Sequence, residues 1–320
     1  MASQFALQLN GVTKRYGEYV AVNELSFAIP KGVIYGCLGP NGAGKTTTLR
    51  MINDILMPDE GSIEILDGLP PGREAAKCIG YLPEERGMYP KMRVLDVLSF
   101  FGELRGLSGR EARKRAQQWL DRLQIGDWRK NKVQDLSKGM QQKVQFAAAM
   151  LHEPELLILD EPWSGLDPIN AEVLKDIVLD QKKAGRTILF STHLMEQAEQ
   201  VCDSVCIIAR GKRVVEGPLE KLRRDAGSDR VVALDFNDDE SEARAKDSVL
   251  ADTSLIAAIK DARVGLEVEL AVSKEPNELL AKLLQANLAV RKFEVVQPTL
   301  HQIFVDRVGA EAQPFKKEQR

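Results

Sequence analysis

The segment from Gly39 to Thr47 combines glycines with one lysine and two adjacent hydroxyl side chains, and it fits the pattern G-x-x-x-x-G-K-[ST]. Glycines let backbone N–H groups turn inward around phosphate oxygens, because no Cβ stands in the way. Lys45 would then bridge the β- and γ-phosphates, and the hydroxyl of Thr46 would hold Mg²⁺. The residues predicted to surround the phosphates are Gly39, Pro40, Asn41, Gly42, Ala43, Gly44, Lys45, Thr46 and Thr47.

Two carboxylates follow an apolar run later in the chain, where Asp160 and Glu161 come directly after Leu156–Leu159. Asp160 is suited to hold Mg²⁺, directly or through water. Glu161 is suited to polarise an attacking water as a general base. A strand that ends in Asp-Glu usually just enters a polar loop, so this assignment depends on the phosphate loop. The phosphate loop alone leaves kinase, GTPase and ATPase open.

Strands and helices alternate around these motifs. The apolar run Val33–Leu38 before the glycines is typical of a buried strand, and Leu49, Ile52 and Leu56 after them recur at helical spacing. This alternation predicts an α/β fold with a mainly parallel sheet covered by helices. Further strands are expected at Phe5–Leu9, Leu25–Ile29, Thr187–Phe190 and Ser204–Ala209, and helices within Val94–Ile125 and at Ala171–Lys183.

The charged, glycine-containing stretch Arg223–Arg230 predicts a domain boundary. Beyond it, the pattern of strands and helices follows the order βαββαβ, which is typical of a small ferredoxin-like α+β domain. A last helix is expected at about Thr299–Val308, and the polar tail after it is expected to fray. The predicted divisions are residues 1–222, residues 223–310 and the tail at 311–320.

Four further segments distinguish among the phosphate-loop classes. Leu136–Gln142 (Leu-Ser-Lys-Gly-Met-Gln-Gln) resembles the signature motif of ABC-type ATPases, whose commonest form is LSGGQ. Ser164–Asp167 resembles the D-loop of that family, and Ser191-Thr192-His193 its switch histidine. Tyr16 resembles its adenine-stacking aromatic residue. Together with the phosphate loop and the paired acids, these segments occur along the chain in the same order as in that family. The chain therefore resembles the ATP-binding subunit of an ABC transporter.

The resemblance implies an ATPase that binds ATP and Mg²⁺ and catalyses hydrolysis with Glu161, His193 and Lys45. It implies a cassette with a parallel core sheet, a β subdomain and a helical subdomain at about residues 85–150. Tyr16 would stack on adenine. Ser137 and the N–H of Gly139 would face the γ-phosphate of an opposite subunit, so that a homodimer or heterodimer sandwiches two nucleotides.

Two positions depart from the family pattern. The signature carries Lys138-Gly139-Met140 in place of Gly-Gly-Gln, which adds a positive charge near a phosphate site. The Q-loop position holds Glu84 in place of Gln. A carboxylate there can reach Mg²⁺ or its waters, so the predicted metal ligands are Thr46, Glu84 and Asp160.

A second resemblance, to exporter ATPases of the sodium-efflux or drug-efflux type, rests on Tyr81–Pro90 and on the terminal stretch Gln297–Val305. It implies export, powered through a separate multi-span membrane subunit. The expected docking surface lies within Glu84–Phe101. That surface is expected to expose Met88, Tyr89 and Pro90.

Composition excludes several other classes. The 44 Lys and Arg against 47 Asp and Glu give a net charge of −3, so no nucleic-acid partner is expected from charge. No apolar run approaches the roughly 18 residues of a membrane span, and Met1–Asn10 has no leader pattern. We therefore expect a cytoplasmic protein, peripheral on the inner face of the membrane. Four cysteines are too few for a disulfide scaffold, and His152 and His301 are expected to be structural.

Two alternatives compete with the transporter. A soluble ABC ATPase acting on nucleic acid or ribosomes usually fuses two cassettes or inserts coiled coils, whereas this chain has one phosphate loop and no sustained heptads. A regulatory GTPase requires Asn-Lys-x-Asp to select guanine. Asn131–Gln134 has Gln where that Asp is needed.

Overall fold

A computed structural model describes residues 4–85, 87–226, 230–262 and 264–308 of the chain. They form two compact units: the first holds the residues up to Leu219 together with those from Phe304 onward, and the second holds Glu220–Ile303. The sequence placed the boundary at residues 222 and 223, but a helix runs through these positions to Asp225. The tail predicted at 311–320 lies outside the described residues.

The elements of the described residues are numbered in chain order. The strands are β1 (Phe5–Tyr16), β2 (Tyr19–Pro30), β3 (Ile34–Leu38), β4 (Glu60–Ile65), β5 (Ile79–Leu82), β6 (Leu156–Asp160), β7 (Thr187–Thr192), β8 (Ser204–Ala209), β9 (Lys212–Pro218), β10 (Val231–Phe236), β11 (Ile256–Asp261), β12 (Leu266–Leu270) and β13 (Val290–Val295). The helices are α1 (Lys45–Ile52), α2 (Arg73–Cys78), α3 (Val94–Leu104), α4 (Gly109–Arg122), α5 (Lys138–Met150), α6 (Pro168–Lys183), α7 (Met195–Val201), α8 (Leu219–Asp225), α9 (Asp239–Asp247), α10 (Pro276–Gln285) and α11 (Leu300–Val308). Short 3₁₀ segments lie at Gly126–Lys130, Val133–Asp135 and Val249–Ala251.

A six-stranded sheet with the order β5-β6-β7-β3-β8-β9 forms the centre of the first unit. Every neighbouring pair is parallel except β8 with β9. β3, β6 and β7 are buried along their whole length, which is typical of a parallel sheet. The predicted mainly parallel sheet is confirmed. Because the carboxyl ends of parallel strands share one edge of the sheet, the segments that follow β3, β6 and β7 meet there.

A three-stranded antiparallel sheet with the order β2-β1-β4 is the second layer of this unit. The sequence predicted strands only at Phe5–Leu9 and Leu25–Ile29, whereas the observed hairpin continues to a turn between Tyr16 and Tyr19. Its pairing shifts register several times between Leu9 and the turn. Such bulges break the alternation of inward and outward side chains, which is why the apolar pattern ended early.

α3, α4 and α5 form a helical part within the predicted range of about 85–150. Ser108 caps α4 by accepting a hydrogen bond from the N–H of Glu111 at 3.3 Å, and Ala112, Ala116 and Leu120 form the buried stripe of that helix. α6 begins before the predicted Ala171. Its earlier start follows from Asp167, whose carboxylate accepts a hydrogen bond from the N–H of Asn170 at 3.0 Å and caps the helix.

The second unit follows the order β10-α9-β11-β12-α10-β13, and its sheet is antiparallel with the strand order β11-β12-β10-β13. This is the ferredoxin-like arrangement that the sequence predicted. Its own hydrophobic core includes Leu234, Phe236, Val268, Leu279 and Leu283. Among the described helices of both units, none combines the length and the apolar character that a membrane crossing requires.

A candidate nucleotide-binding and hydrolytic site

The loop between β3 and α1 requires glycine at two positions. Gly39 has φ +153°, and a Cβ on it would lie 2.1 Å from the carbonyl oxygen of Ile208. Gly44 has φ +105°, and a Cβ on it would lie 2.5 Å from the carbonyl oxygen of Ala21. Gly44 also precedes α1 without any side-chain cap. The first N–H groups of α1 therefore have no capping side chain, and they can bind an anion.

Lys45 is the first residue of α1, and its side chain turns back over this loop. Its ammonium donates hydrogen bonds to the carbonyl oxygens of Gly39 at 2.8 Å and of Pro40 at 3.2 Å. The residue is only 6% exposed. The loop thus holds a cation at its inner side, where phosphate oxygens would accept hydrogen bonds from the same ammonium.

Asp160 ends β6 beside β7 and is 1% exposed. The hydroxyl of Ser191 donates a hydrogen bond to its Oδ1, whereas its buried Oδ2 has no hydrogen-bond partner among the described residues. Burial raises the pKa of Asp160, and the hydrogen bond from the hydroxyl of Ser191 opposes this rise. A buried carboxylate oxygen without a partner fits a cation ligand better than a packing role.

Glu161 follows Asp160 with φ +47°, a left-handed conformation that costs energy for a residue with a Cβ. Its Oε1 accepts a hydrogen bond from the backbone N–H of His193 at 3.0 Å and lies 2.7 Å from the ring Nδ1 of His193. Its Oε2 accepts a hydrogen bond from the hydroxyl of Thr192 at 3.0 Å. The end of β7 therefore holds both carboxylate oxygens, and an ionised Glu161 requires the proton of His193 on Nδ1.

An open cavity of about 420 Å³ brings most of the predicted site residues together. Its lining residues are Tyr16, Tyr19, Ala21, Asn41, Gly42, Ala43, Gly44, Lys45, Thr46, Thr47, Glu84, Glu161, Ser164 and His193. Phosphate-loop backbone, a lysine, carboxylates and two tyrosines thus face one volume, which suits a ligand with both an anionic end and an aromatic end.

Five predicted site residues do not line this cavity: Gly39, Pro40, Ser137, Gly139 and Asp160. The carbonyls of Gly39 and Pro40 hold Lys45, and Asp160 is buried. Ser137 is exposed and caps α5, where its Oγ accepts a hydrogen bond from the N–H of Met140 at 3.3 Å.

Tyr19, Ala21 and Ser164 line the cavity although they were not among the predicted site residues. The hydroxyl of Tyr19 donates to the carbonyl oxygen of Gly42 at 3.4 Å. Ser164 begins the stretch that resembles the D-loop, and its N–H donates to the carbonyl oxygen of Glu161 at 3.0 Å. One feature of the sequence could have predicted the position of Tyr19. It stands three residues after Tyr16, in an otherwise polar turn.

α5 also holds the backbone on both sides of Glu84. The side-chain amide of Gln145 donates to the carbonyl oxygens of Glu85 at 2.9 Å and of Pro83 at 3.5 Å. A Cβ on Gly80 would lie 2.3 Å from the carbonyl oxygen of Ala149, so β5 packs directly on this helix. The exposed Glu84 therefore reaches the cavity from a backbone that α5 fixes.

Aromatic side chains cluster in the surface expected to dock a partner. The ring of Tyr89 lies 5.7 Å from that of Phe100 and 6.2 Å from that of Phe101, measured between centroids. Tyr89 and Pro90 are exposed as expected, whereas Met88 is half-buried and lines a neighbouring cavity of about 200 Å³ with Phe101.

The remaining histidines and the four cysteines do not line the cavity. His152 Nε2 lies 2.9 Å from the carbonyl oxygen of Ile79, and burial lowers the pKa of His152 to about 4. His301 is exposed on α11. All four cysteines are free thiols, and no described group of His, Cys, Asp and Glu side chains has three or more members placed to hold a metal ion.

Two family models match the chain. Residues 22–164 match the model described as ABC transporter. Residues 217–308 match the model described as ATP-binding protein DrrA1-3-like, C-terminal domain.

Relatives of similar length extend this likeness over nearly the whole chain. YhaQ of Bacillus subtilis, an ABC transporter ATP-binding protein, is 45% identical over 95% of this chain and 99% of its own. The daunorubicin/doxorubicin resistance ATP-binding protein DrrA of Streptomyces peucetius is 32% identical over 98% of this chain and 96% of its own.

Solved structures resemble the first unit. An ATP-binding subunit of an ABC transporter has a TM-score of 0.64 and 31% identity, and the match covers 69% of this chain and 93% of that one. A dimeric post-hydrolysis ATP-binding cassette bound to ADP and Pi has a TM-score of 0.61 and 25% identity, and the match covers 67% and 98% respectively.

Proposed function

The chain belongs to the family of ABC transporter ATP-binding proteins, and we propose that its ATP hydrolysis powers an exporter whose membrane-crossing part is a separate subunit. The observation that carries the proposal is the single cavity shared by the phosphate loop, Glu161 and His193. A relative named for daunorubicin and doxorubicin resistance supports outward transport. The soluble alternative, which acts on nucleic acid or ribosomes, has no support among the relatives described above.

ATP enters with its phosphates at the start of α1. The uncapped N–H groups there and the ammonium of Lys45 take the phosphate oxygens. To do so, Lys45 exchanges its hydrogen bonds to the loop carbonyls for bonds to phosphate. Tyr16, which is 48% exposed at the hairpin turn, offers a free ring face for adenine.

Thr46, Asp160 and Glu84 hold Mg²⁺ in this proposal. Mg²⁺ commonly takes one or two protein carboxylates and completes its octahedron with water and substrate phosphates, so no larger cluster of acids is needed. The unpartnered Oδ2 of Asp160 fits such a ligand. The bound ion offsets the charge that develops on the phosphates. Glu84 brings a second negative charge to the cavity, directly or through the waters of the ion.

Glu161 is the general base. It takes a proton from a water as the oxygen of that water attacks the γ-phosphorus and the bond to the bridging oxygen breaks, giving ADP and phosphate. Thr192 and His193 hold its carboxylate in place. Because Nδ1 of His193 is engaged with Glu161, Nε2 is the ring nitrogen left for the γ-phosphate. For Nε2 to donate a hydrogen bond to the γ-phosphate while Nδ1 keeps its contact with Glu161, the ring of His193 must carry a proton on both nitrogens.

A second copy, or a similar chain, completes each cavity. Ser137 and Gly139 lie outside their own cavity at the N-terminus of α5, where backbone N–H groups favour an anion. In the proposed dimer they approach the γ-phosphate of the opposite subunit. A similar solved cassette is dimeric and holds ADP and Pi, which supports this arrangement.

The membrane subunit docks on the aromatic cluster of Tyr89, Phe100 and Phe101. The chain then works at the cytoplasmic face of the membrane, and residues 223–310 act as an accessory domain. A tagged chain should retain a multi-span protein from detergent-solubilised membranes, and Tyr89→Asp should lose it. Ile169→Asp, at an exposed apolar residue elsewhere, is the matched control and should still retain it.

The experiment that tests the ATPase assignment uses Glu161→Gln, which keeps the shape of the side chain but cannot take a proton. ATP binding should survive, while hydrolysis falls by about 10²–10⁴. Trapped ATP should then stabilise a dimer that size-exclusion chromatography separates from the monomer. Normal hydrolysis by Glu161→Gln would mean that another residue is the base.

Adding Ser137→Arg to Glu161→Gln should return the ATP-bound protein to monomer, because the bulky side chain blocks the opposite phosphate site. Ser108→Arg is the matched control, since Ser108 caps α4 as Ser137 caps α5. It should leave the ATP-dependent dimer intact. If both variants lose the dimer equally, the interface does not depend on the signature segment.

A further inference from the structure

A basic surface lies on the helical part of the first unit, beside the aromatic cluster. It is formed by two segments, residues 89–93 and residues 128–132. The N–H of Val133 donates to the carbonyl oxygen of Met92 at 3.0 Å, and this hydrogen bond holds the two segments side by side. We call five exposed cations of these segments the basic surface: Lys91, Arg93, Arg129, Lys130 and Lys132.

These five cations have no carboxylate partner among the residues that the structure describes. On the neighbouring α4, Arg113, Arg115 and Arg122 pair with carboxylates, whereas the exposed Arg110 and Lys114 form no ion pair among the described residues. Asp135 lies close, but its carboxylate accepts from the backbone N–H of Lys132 at 3.3 Å.

Two of the cations face each other directly. Arg93 and Lys132 are partners in an isolated antiparallel bridge, and like charges in that position destabilise the pairing. The whole chain has a net charge of −3, so the concentration of positive charge does not follow from its composition. An anion supplied from outside would relieve this repulsion.

An exposed aromatic side chain stands at the start of each of the two segments that form the basic surface. Trp128 is 39% exposed and Tyr89 is 51% exposed. Trp and Tyr together with Lys and Arg are typical of the boundary between a membrane and water. We propose that the basic surface lies against the anionic headgroups of the membrane that holds the membrane subunit. This inference rests on the proposed function, which places the chain at a membrane.

Lipid fits this surface better than nucleic acid or an acidic protein segment does. The basic surface is continuous with the proposed docking surface, since Tyr89 belongs to the aromatic cluster and stands two residues before Lys91 in the chain. A partner docked there would hold one face of the chain close to headgroups. A planar membrane then meets only this face, whereas a long nucleic acid also meets the acidic remainder of the chain.

The test is co-sedimentation of the full chain with vesicles of phosphatidylcholine, with and without phosphatidylglycerol. We expect binding only with the anionic lipid and weaker binding at high salt. Replacing Arg129, Lys130 and Lys132 together by Gln should weaken binding about a hundredfold, since each cation near an anionic surface contributes roughly fivefold. Equal binding to both kinds of vesicle would overturn the proposal.

Replacing Lys212, Lys221 and Arg224 by Gln is the matched control. These cations are exposed elsewhere, and the change in net charge is the same. The control should bind as wild type does, and an equal loss would show that binding follows net charge and not this surface. Tighter binding to duplex DNA or to polyglutamate, at equal anion concentration, would also overturn the lipid assignment.

Two further measurements separate folding and ATPase activity from lipid binding. Lys132→Gln alone should not lower the melting temperature, because it removes the repulsion with Arg93. ATP hydrolysis should be unchanged in both triple variants. If wild type hydrolyses ATP but binds no anionic vesicle, the lipid proposal fails while the ATPase assignment stands. If it binds vesicles without hydrolysing ATP, the proposed function fails.

Discussion

Thr192→Val tests how Glu161, the proposed general base, is held in place. The hydroxyl of Thr192 donates to Glu161 Oε2 at 3.0 Å and accepts from the N–H of Leu194 at 3.1 Å. Valine has the same shape but supplies neither interaction. Thr192 is fully buried and does not line the cavity, so the change alters the support of Glu161 and not a contact with nucleotide.

The expected loss follows from the two hydrogen bonds. A hydrogen bond to a charged group contributes about 1.5–3 kcal/mol. If that contribution is needed in the transition state, kcat falls by about tenfold to a hundredfold. The lower part of this range is expected, because two contacts from His193 still hold Oε1. Leaving the N–H of Leu194 without an acceptor costs a further 1–3 kcal/mol or so in folding free energy.

The assay is steady-state ATP hydrolysis together with urea unfolding. Thr192→Val should lower kcat while KM for ATP stays within about twofold, and Thr192→Ser should restore kcat because it keeps the hydroxyl. Thr187→Val is the matched control. Thr187 is also buried in β7, and its hydroxyl accepts from the N–H of Gly32 at 2.9 Å, far along the strand from Glu161. It should lose stability and keep kcat.

Two outcomes would refute this reasoning. An unchanged kcat in Thr192→Val would mean that Oε2 of Glu161 needs no support during the reaction. An equal loss of kcat in Thr187→Val would mean that turnover depends on the stability of β7 as a whole. A rise in KM without a fall in kcat would place the effect on ATP binding.

Further predictions concern charge, acid sensitivity and the second unit. Lys45→Ala should weaken ATP binding by about 1.5–3 kcal/mol in calorimetry and abolish hydrolysis, and unchanged affinity would contradict the phosphate-loop assignment. Glu84→Gln should keep basal hydrolysis and shift its dependence on MgCl₂, because one negative charge leaves the surroundings of the metal; identical Mg²⁺ curves would place Glu84 away from the ion. The pKa of His152 is about 6.5 in the unfolded chain and about 4 in the folded chain, so only the unfolded chain takes up a proton between these pH values. Folding stability should therefore fall by about 1–2 kcal/mol as pH drops from 6.5 to 4, and urea titrations of His152→Gln should show a smaller fall. Residues 220–303 expressed alone should unfold cooperatively in circular dichroism, because their core closes on itself.

The sequence predicted the central strands well for a physical reason. β3, β6 and β7 are buried on both faces, so their apolar runs are uninterrupted and easily recognised. β4 and β9 were missed because each lies at the edge of its sheet, and only part of each is buried. A half-exposed edge strand carries little apolar signal.

The same distinction applies to the candidate site. Lys45, Glu161 and His193 belong to short motifs whose spacing along the chain has a chemical meaning. Tyr19 reaches the cavity through the turn of a bulged hairpin, and Gln145 reaches the Q-loop segment from the interior of α5. Both approaches depend on tertiary packing, so residue spacing along the chain could not predict them.

The hydrogen bonds from Gln145 to the backbone on both sides of Glu84 have a thermodynamic consequence. The same helix begins at the cap formed by Ser137, so a rigid stretch of about 12 Å connects the segment proposed to face a neighbouring subunit with the segment that leads to Tyr89. A ligand that displaces one end must displace the other or break these hydrogen bonds. Linkage is reciprocal. A nucleotide held by the neighbour and a protein bound at the aromatic cluster would therefore change each other's affinity by the same factor.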